Sequence, residues 1–231
     1  MRWETYDKVR LMVLEEQDQW EGMKEATHIR AEIEPYDIQK AQMLTEQGMF
    51  FADRTLFVAV NLAKVDPNLK RLARFTVEQR DLKEWKNEAL EIAGKAFTTD
   101  RRFHLSREYD PALAKRVIEG YLDAAIQQGG ILSVAVHKEV PMGFTILLPY
   151  ESDGYFIYLA AVLPEYQRTG AAVSLYYQAC QLASEKGAKK LWGRFSAANT
   201  PVMNLYAMLG GAFSQPKDVY LKEALSTNAI G

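Results

Sequence analysis

One stretch of the sequence has the residue types and spacing of an anion-binding loop. In VLPEYQRTGAA (162–172) a strand-like segment ends, a proline-containing loop turns, and a helix begins on small residues. Backbone N–H groups at a helix N-terminus, together with the helix dipole, suit a pyrophosphate. Gly170 allows close backbone approach, and Arg168 adds a charge-assisted contact. The predicted pyrophosphate-binding residues are Gln167, Arg168, Thr169, Gly170, Ala171 and Ala172.

Two other phosphate-binding loops do not fit this stretch. A nucleotide-hydrolase loop needs a Lys-Ser or Lys-Thr pair after the glycine, and none follows Gly170. The dinucleotide fingerprint needs more glycines and a parallel βαβ frame. A plain strand-to-helix turn, in which the glycine serves geometry alone, stays open as the alternative.

A second motif, NTPVMNLYAMLGG (199–211), follows about 30 residues beyond the loop. Its chemistry-bearing residue is Tyr206, because a phenol with a pKa of about 10 stays protonated at neutral pH and can donate a proton. The alternative is a core tyrosine on an amphipathic helix. Asn199 precedes Thr200-Pro201 and is a good helix N-cap, which does not exclude a contact with a cofactor.

The elements that position these motifs follow the order β-α-α-β-β-β-α-β-α-β from residue 75. Asp81 is the predicted N-cap of one helix, and Asp110-Pro111 opens the next. Three strand-like segments with short turns predict an antiparallel meander: Ile131 to His137, Gly143 to Leu148, and Tyr155 to Val162. The predicted class is α/β (α+β), with a mixed, mostly antiparallel sheet flanked by helices.

Upstream, residues 1–63 alternate strand-like and helix-like segments, and the polar stretch 64–74 contains a proline and several charges. This stretch is the predicted domain boundary. We therefore predict a partial N-terminal α/β lobe over residues 1–70 and a catalytic domain over residues 71–231.

Bulk properties exclude some classes of partner and site. The net charge of −2 and pI near 6.0 give no electrostatic case for a nucleic-acid or membrane partner. Cys180 is the one cysteine, so an intrachain disulfide is excluded, and its place on a helix stripe predicts a core residue. His28 and His137 lack metal-ligand spacing, so no metal is expected. Without a signal-peptide-like or membrane-spanning stretch, the expected location is cytoplasmic.

The two motifs, in this order, resemble the GNAT superfamily of acyl-CoA N-acyltransferases over roughly residues 75–223. The resemblance implies acetyl-CoA as the donor and a primary amine as the acceptor, joined by direct attack in a ternary complex. It implies a bulge in the strand before the loop, which opens a slot for the pantetheine arm. It also makes Tyr206 the general acid. The further residues that it implies at the donor are Leu159, Ala160, Ala161, Val162 and Asn199.

Several positions depart from the family pattern. Gln167 replaces the commoner arginine and Ala172 the second glycine, and both leave backbone donation intact. Gly211 stands where phenylalanine is usual. Tyr158 occupies the position of the glutamate that serves many members as general base, so the sequence leaves the base unassigned.

A narrower resemblance links TVEQRDL (76–82) and GKAFTTDRRF (94–103) to the TDP-fucosamine acetyltransferases of enterobacterial common antigen synthesis. It implies an amino-deoxysugar nucleotide as acceptor, with Arg102 and His104 as candidate substrate-binding residues. Two alternatives stay open, namely another small amine or peptide amine as acceptor, and a CoA-binding domain without turnover. The expected assembly is a monomer or homodimer.

Overall fold

The computed structural model describes residues 2–6, 9–14 and 26–223, and all of its strands join one ten-stranded sheet. The strands are β1 (Arg2–Tyr6), β2 (Val9–Leu14), β3 (His28–Ile33), β4 (Phe50–Asn61), β5 (Thr76–Arg80), β6 (Ile131–His137), β7 (Val140–Tyr150), β8 (Gly154–Val162), β9 (Lys190–Ser196) and β10 (Ala212–Glu223). Their spatial order is β1-β2-β3-β10-β4-β9-β8-β7-β6-β5. The β2–β3 and β8–β9 pairs are parallel and the other neighbours antiparallel, which confirms the predicted mixed, mostly antiparallel sheet.

Helices flank this sheet, and the residues at the start of the third one are of the types that favour a helix N-terminus. They are α1 (Ile38–Glu46), α2 (Lys86–Ala96), α3 (Pro111–Gln127), α4 (Ala171–Glu185) and α5 (Thr200–Met208). The Asp110 carboxylate accepts from the amides of Ala112 and Leu113, and Pro111 fills the first helical position. The predicted start of α3 and the element order from residue 75 are therefore confirmed.

Three predictions about elements were wrong in detail. Asp81 does not cap α2, because its carboxylate accepts from the Glu84 amide in a preceding turn and the helix begins only at Lys86. The sequence predicts a closing strand over Asp218 to Lys222 (DVYLK), but β10 begins at Ala212, with an irregular register around Pro216 that obscures its alternation. The short β1 was not predicted. The sequence also predicts a strand from Lys8 to Leu14, which corresponds to β2, and Lys8 lies outside the described residues.

The two sides of the sheet carry different helices. Helices α2 and α3 cover one side, where their buried residues pack with Phe144, Leu159 and Ala161. Helices α4 and α5 pack on Ile157 and Leu191 in a second cluster. Ile157 and Leu159 lie two residues apart on β8 but belong to different clusters. In a regular strand, residues two apart point to the same face of the sheet, so β8 is irregular between them.

Strand β4 of the predicted first lobe lies between β9 and β10, so residues from both predicted domains share one sheet. The division at residue 70 stays a prediction. No helix in the described ranges is long and apolar enough to cross a bilayer.

Candidate active site

The parallel strands β8 and β9 part halfway along their length. Their pairing runs from Gly154 with Lys190 to Ile157 with Gly193 and goes no further, although β9 continues to Ser196. On the other side, β7 pairs Leu147 with Ile157 and Ile146 with Leu159, so Tyr158 is the extra residue of a β-bulge. The predicted bulge and opened slot are therefore present.

The open part of β8 presents a sheet edge inside the protein. Residues Leu159 to Val162 pair with β7 on one side and, within the described chain, with no strand on the side that faces β9. Backbone donors and acceptors on such an edge recruit an extended ligand as an added strand. This edge is therefore suited to an amide-containing chain such as pantetheine.

A cavity of about 760 Å³ fills the space between the parted strands. The sequence-predicted site residues that line it are Arg102, Ala160, Ala161, Val162, Gln167, Arg168, Gly170, Ala172, Asn199 and Tyr206. Four others do not line it. Leu159 and Ala171 are buried in the core, Thr169 closes the loop through its hydroxyl, and His104 lies elsewhere. The structure thus gathers residues from the α2–α3 connection, β8, the loop and α5 around one space.

The loop before α4 keeps half of its amides available. The amides of Gln167, Thr169 and Ala171 make long contacts of 3.3–3.4 Å within the loop. Those of Arg168, Gly170 and Ala172 have no hydrogen-bond partner among the described residues. All three of these residues line the cavity, and Arg168 and Gly170 have positive φ angles of 66° and 98°. Unpaired amides at a helix N-terminus fit a diphosphate.

Asn199 caps α5, as one of its two predicted roles required. Its side-chain oxygen accepts from the Val202 amide at 3.2 Å, and the residue also lines the cavity. The structural role is confirmed, and contact with a cofactor stays a prediction.

Tyr206 is buried at the point where the two strands part. Gly193 is the last residue of β9 that pairs with β8. A Cβ atom built at Gly193 would overlap the Tyr206 hydroxyl oxygen and lie 2.7 Å from Cζ. The ring stacks on Phe195 at 5.4 Å and meets the edge of Tyr176 at 5.2 Å. The space left by Gly193 and the packing of Phe195 and Tyr176 therefore place the phenol where β8 and β9 part, at the Ile157–Gly193 pair, which is called the fork.

The surroundings of Tyr206 keep its proton in place. Burial, followed by its neighbour and hydrogen-bond partner Tyr176, raises the pKa of Tyr206 well above the ordinary value. Burial likewise raises the pKa of Tyr176 to about 12, against opposing effects of Arg102 and the Tyr206 hydrogen bond. Both phenols are protonated at neutral pH, so Tyr206 could donate a proton but could not serve as a base.

Arg102 lines the cavity as part of a buried ion pair. Its Nη2 donates to Asp100 Oδ2 at 2.6 Å, and its guanidinium lies over Phe103 at 5.1 Å. Burial alone would raise the pKa of Asp100, but the Arg102 charge and hydrogen bonds lower it on balance. The pair is therefore charged on both members and close to neutral overall.

His104 is placed differently from its neighbour Arg102. The imidazole is buried, lies 4.5 Å from the Tyr109 ring, and does not line the cavity. Burial lowers its pKa, with a smaller opposing effect of a hydrogen bond to the Phe97 backbone. A substrate contact by His104 stays a prediction, because His104 is not among the residues that line the cavity.

A hydroxyl–carboxylate pair at the cavity was not predicted from the sequence. Ser196, on the parted end of β9, lines the cavity and donates to Asp53 Oδ1 at 2.8 Å. Burial raises the pKa of Asp53, although hydrogen bonds from Ser196 and the Arg54 amide act in the opposite direction. The partners are 143 residues apart, so their pairing depends on β4 lying beside β9 and has no local sequence signal.

Cys180 lies in the α4 core, as predicted, and burial raises its pKa to about 12, so it is unreactive as a thiolate. Within residues 2–6, 9–14 and 26–223, no three His, Cys, Asp or Glu residues gather in a way that could hold a metal ion.

The site thus combines two parted parallel strands of a mixed sheet, three loop amides without a hydrogen-bond partner among the described residues, and a buried tyrosine where the strands part. The family model described as acetyltransferase (GNAT) family matches residues 83–210, more than half of the chain. The chain therefore belongs to the acetyltransferase (GNAT) family, a family of acyltransferase enzymes.

Solved structures show the same fold at low sequence identity. A functionally unknown conserved protein from Staphylococcus epidermidis is 14% identical, with 96% of this chain and 87% of that chain covered and a TM-score of 0.66. A GCN5-related N-acetyltransferase from Sphaerobacter thermophilus is 12% identical (85% and 60% covered, TM-score 0.60). A tandem GNAT protein from the clavulanic acid biosynthesis pathway is 14% identical (86% and 65% covered, TM-score 0.56).

The chain spans less than two thirds of the last two structures. A sequence comparison with curated proteins gives no match, and none of these comparisons supports the narrower resemblance to TDP-fucosamine acetyltransferases.

Proposed function

We propose that this protein transfers an acetyl group from acetyl-CoA to a primary amine by direct attack in a ternary complex. One observation carries the proposal: β8 and β9 separate at Gly193, where the protonated Tyr206 hydroxyl lies, and the cavity between them extends to the free amides before α4. An extended thioester with a diphosphate at one end matches this layout.

The donor-binding roles follow from the same geometry. The open edge of β8 from Leu159 to Val162 would pair with pantetheine amides, and the loop from Gln167 to Ala172 would bind the diphosphate. Asn199 is placed to contact the donor from the start of α5. Acetyl-CoA, when bound, supplies an activated thioester. The backbone N–H groups of the β8 edge would then stabilise the negative charge that develops on its carbonyl oxygen.

Tyr206 acts as general acid in this scheme. Its raised pKa keeps the phenol protonated, so it can donate to the sulfur as the thiolate departs. The incoming amine must be neutral, and Tyr158 cannot replace a glutamate base at neutral pH because a phenol stays protonated there. The amine therefore arrives neutral, or its proton leaves through water toward a carboxylate, for which the Ser196–Asp53 pair is the candidate at the cavity.

The finer acceptor predicted from the sequence is an amino-deoxysugar nucleotide, and Arg102 is the residue at the cavity that could meet its phosphates. That guanidinium is already paired with Asp100, which weakens this assignment. The absence of a glutamate at position 158 favours the second candidate, a CoA-binding protein without turnover. The cytoplasmic location and the monomer or homodimer stay predictions.

A two-part experiment tests the proposed function. Acetyl-CoA at about 1 mM, well above the Kd of a specific site, is expected to raise the thermal midpoint. Release of free thiol in the presence of a panel of primary amines reports turnover. A thermal shift without turnover on any amine would support the second candidate, and no shift at all would contradict both.

An Ala172→Asp variant separates donor binding from folding. A carboxylate in the first turn of α4 is favourable for the helix dipole, so the thermal midpoint of the ligand-free protein should be unchanged or slightly higher. The same charge repels the diphosphate, and the Kd for acetyl-CoA should rise at least about tenfold, or ~1.4 kcal/mol. Calorimetric titration measures the Kd. Ala172→Asn, similar in size but uncharged, is the control, and equal Kd values for the two variants would place the diphosphate elsewhere.

A further inference from the structure

A second cavity, of about 1050 Å³, lies on the α3 side of the sheet, against the ends of β7 and β8. Tyr158, the bulge residue at the fork, lines both this cavity and the one between the strands. The two cavities therefore adjoin at Tyr158. Given the proposed function, on which this inference rests, the second cavity is the place for the acceptor, and its lining describes the acceptor's chemistry.

One part of the lining is aromatic. The rings of Tyr121 and Tyr158 stack at 5.5 Å with an interplanar angle of 28°, and those of Tyr150 and Phe156 lie 5.4 Å apart. All four residues line the cavity. Aromatic faces bind alkyl chains by dispersion and attract ammonium groups through the ring quadrupole. Such a wall fits an aliphatic amine.

The charged part of the lining is predominantly negative. The lining holds the carboxylates of Glu119 and Asp123, the carboxylate of Glu4, which also interacts with the buried Arg30, and the guanidinium of Arg116. Glu119 and Asp123 lie one turn apart on α3 and share the single ammonium of Lys86, at 3.2 and 2.6 Å. The two carboxylates share one lysine, Arg116 stands one turn before Glu119 in the same lining, and both carboxylate side chains are about half exposed, at 46% and 49%.

This charge pattern distinguishes the two acceptor classes. A sugar nucleotide would bring a doubly charged diphosphate close to Glu119 and Asp123, which costs electrostatic free energy. A second cationic group on an amine acceptor would instead gain a charge-assisted contact with Glu119 and Asp123. The aromatic residues of the same cavity suit the alkyl chain that connects the two nitrogens.

We propose that the acceptor is an aliphatic diamine or polyamine. One amino group, neutral, reaches the fork past Tyr158, and a second, protonated nitrogen binds at Glu119 and Asp123. The distal charge then anchors the acceptor without taking part in the chemistry.

Matched acceptors test this proposal in thiol-release assays at saturating acetyl-CoA. 1,5-Diaminopentane and spermidine are expected to exceed pentylamine in kcat/KM at least about tenfold, a difference of ~1.4 kcal/mol. Pentylamine has the same reactive end and chain but lacks the second charge. Greater activity on an amino-sugar nucleotide, or equal activity on pentylamine and the diamine, would overturn the proposal.

Two double variants test whether Glu119 and Asp123 bind the protonated second nitrogen of the acceptor. Glu119→Gln/Asp123→Asn is expected to raise the KM for 1,5-diaminopentane about tenfold and to leave the KM for pentylamine unchanged. Glu88→Gln/Glu91→Gln removes the same charge from exposed positions of α2 outside the cavity and should change neither KM. Half-exposed ion pairs such as those with Lys86 contribute little to stability, so the variant should fold.

Binding experiments separate this inference from the proposed function. Calorimetric titration of 1,5-diaminopentane into the protein saturated with CoA should show a site that the Glu119→Gln/Asp123→Asn variant weakens. An absence of diamine binding at about 10 mM, with acetyl-CoA binding intact, contradicts this inference alone. An absence of acetyl-CoA binding contradicts the proposed function and the inference together.

Discussion

A Tyr206→Phe variant is expected to lose about 10²- to 10⁴-fold in kcat, the range typical for a positioned general acid. The change removes the hydroxyl that lies against Gly193 and keeps the ring that packs on Phe195 and Tyr176. The Kd for acetyl-CoA should change little, because the loop amides and the β8 edge are untouched. Steady-state thiol release and calorimetric titration measure the two quantities.

The pH profile gives a second measure of the role of Tyr206. A general acid is active while protonated, so activity falls as pH rises through its pKa. Because burial and Tyr176 raise the pKa of Tyr206, this decrease should lie above pH ~10, beyond the ordinary value for a phenol. The wild type should therefore show no alkaline decrease in kcat from this group at or below that pH, and Tyr206→Phe should be equally impaired across the range.

Tyr177→Phe is the matched control for this prediction. Tyr177 lies next to Tyr176 on α4, is partly buried and does not line the cavity, so loss of its hydroxyl should leave kcat within about twofold. An unchanged kcat in Tyr206→Phe, or a loss explained by weaker acetyl-CoA binding alone, would remove the general acid from the mechanism.

The parts of this site that could be predicted from the sequence are those that local patterns determine. The loop from Gln167 to Ala172 lies between a strand and a helix that adjacent residues specify, and its glycine and small residues follow from backbone geometry. The N-caps Asp110 and Asn199 likewise bind amides two or three residues away. Asp81 was misassigned because a carboxylate can cap a turn as well as a helix, and spacing alone does not separate the two.

The parts that could not be predicted depend on contacts between distant segments. The Asp53–Ser196 pair exists because β4 lies beside β9, and the Tyr206–Gly193 contact exists because α5 packs on that strand. Arg102 and His104 are two residues apart in a connection without regular periodicity, so the sequence could not indicate which of them lines the cavity.

The charge of the acceptor site is a property of the whole surface rather than of a motif. Glu4 comes from β1, which was not predicted, and Glu119 and Asp123 follow the polar side of a helix where carboxylates are common. Nothing in their spacing indicates a binding site. Only the position of Tyr158, which lines both cavities, connects these carboxylates with the chemistry.

A Gly193→Ala variant is expected to lose activity to about the same extent as Tyr206→Phe and also to be less stable. A methyl group at position 193 would occupy the place of the Tyr206 hydroxyl, and the packed ring has Phe195 and Tyr176 on two sides. The strand or the ring must therefore move, and overpacking of this kind typically costs about 1–3 kcal/mol of unfolding free energy. Urea denaturation measures the stability and thiol release the activity.

The double variant Gly193→Ala/Tyr206→Phe tests the contact itself. Removal of the hydroxyl relieves the closest overlap and leaves the methyl 2.7 Å from Cζ, so the double variant should lose less stability than the two single losses together. Gly94→Ala is the control, since a Cβ there meets no atom within 4 Å and alanine favours helix α2 by about 0.5–1 kcal/mol. If the two losses simply add, or if Gly193→Ala keeps full activity, the hydroxyl does not sit against Gly193 and the fork cannot be the place where the proton is donated.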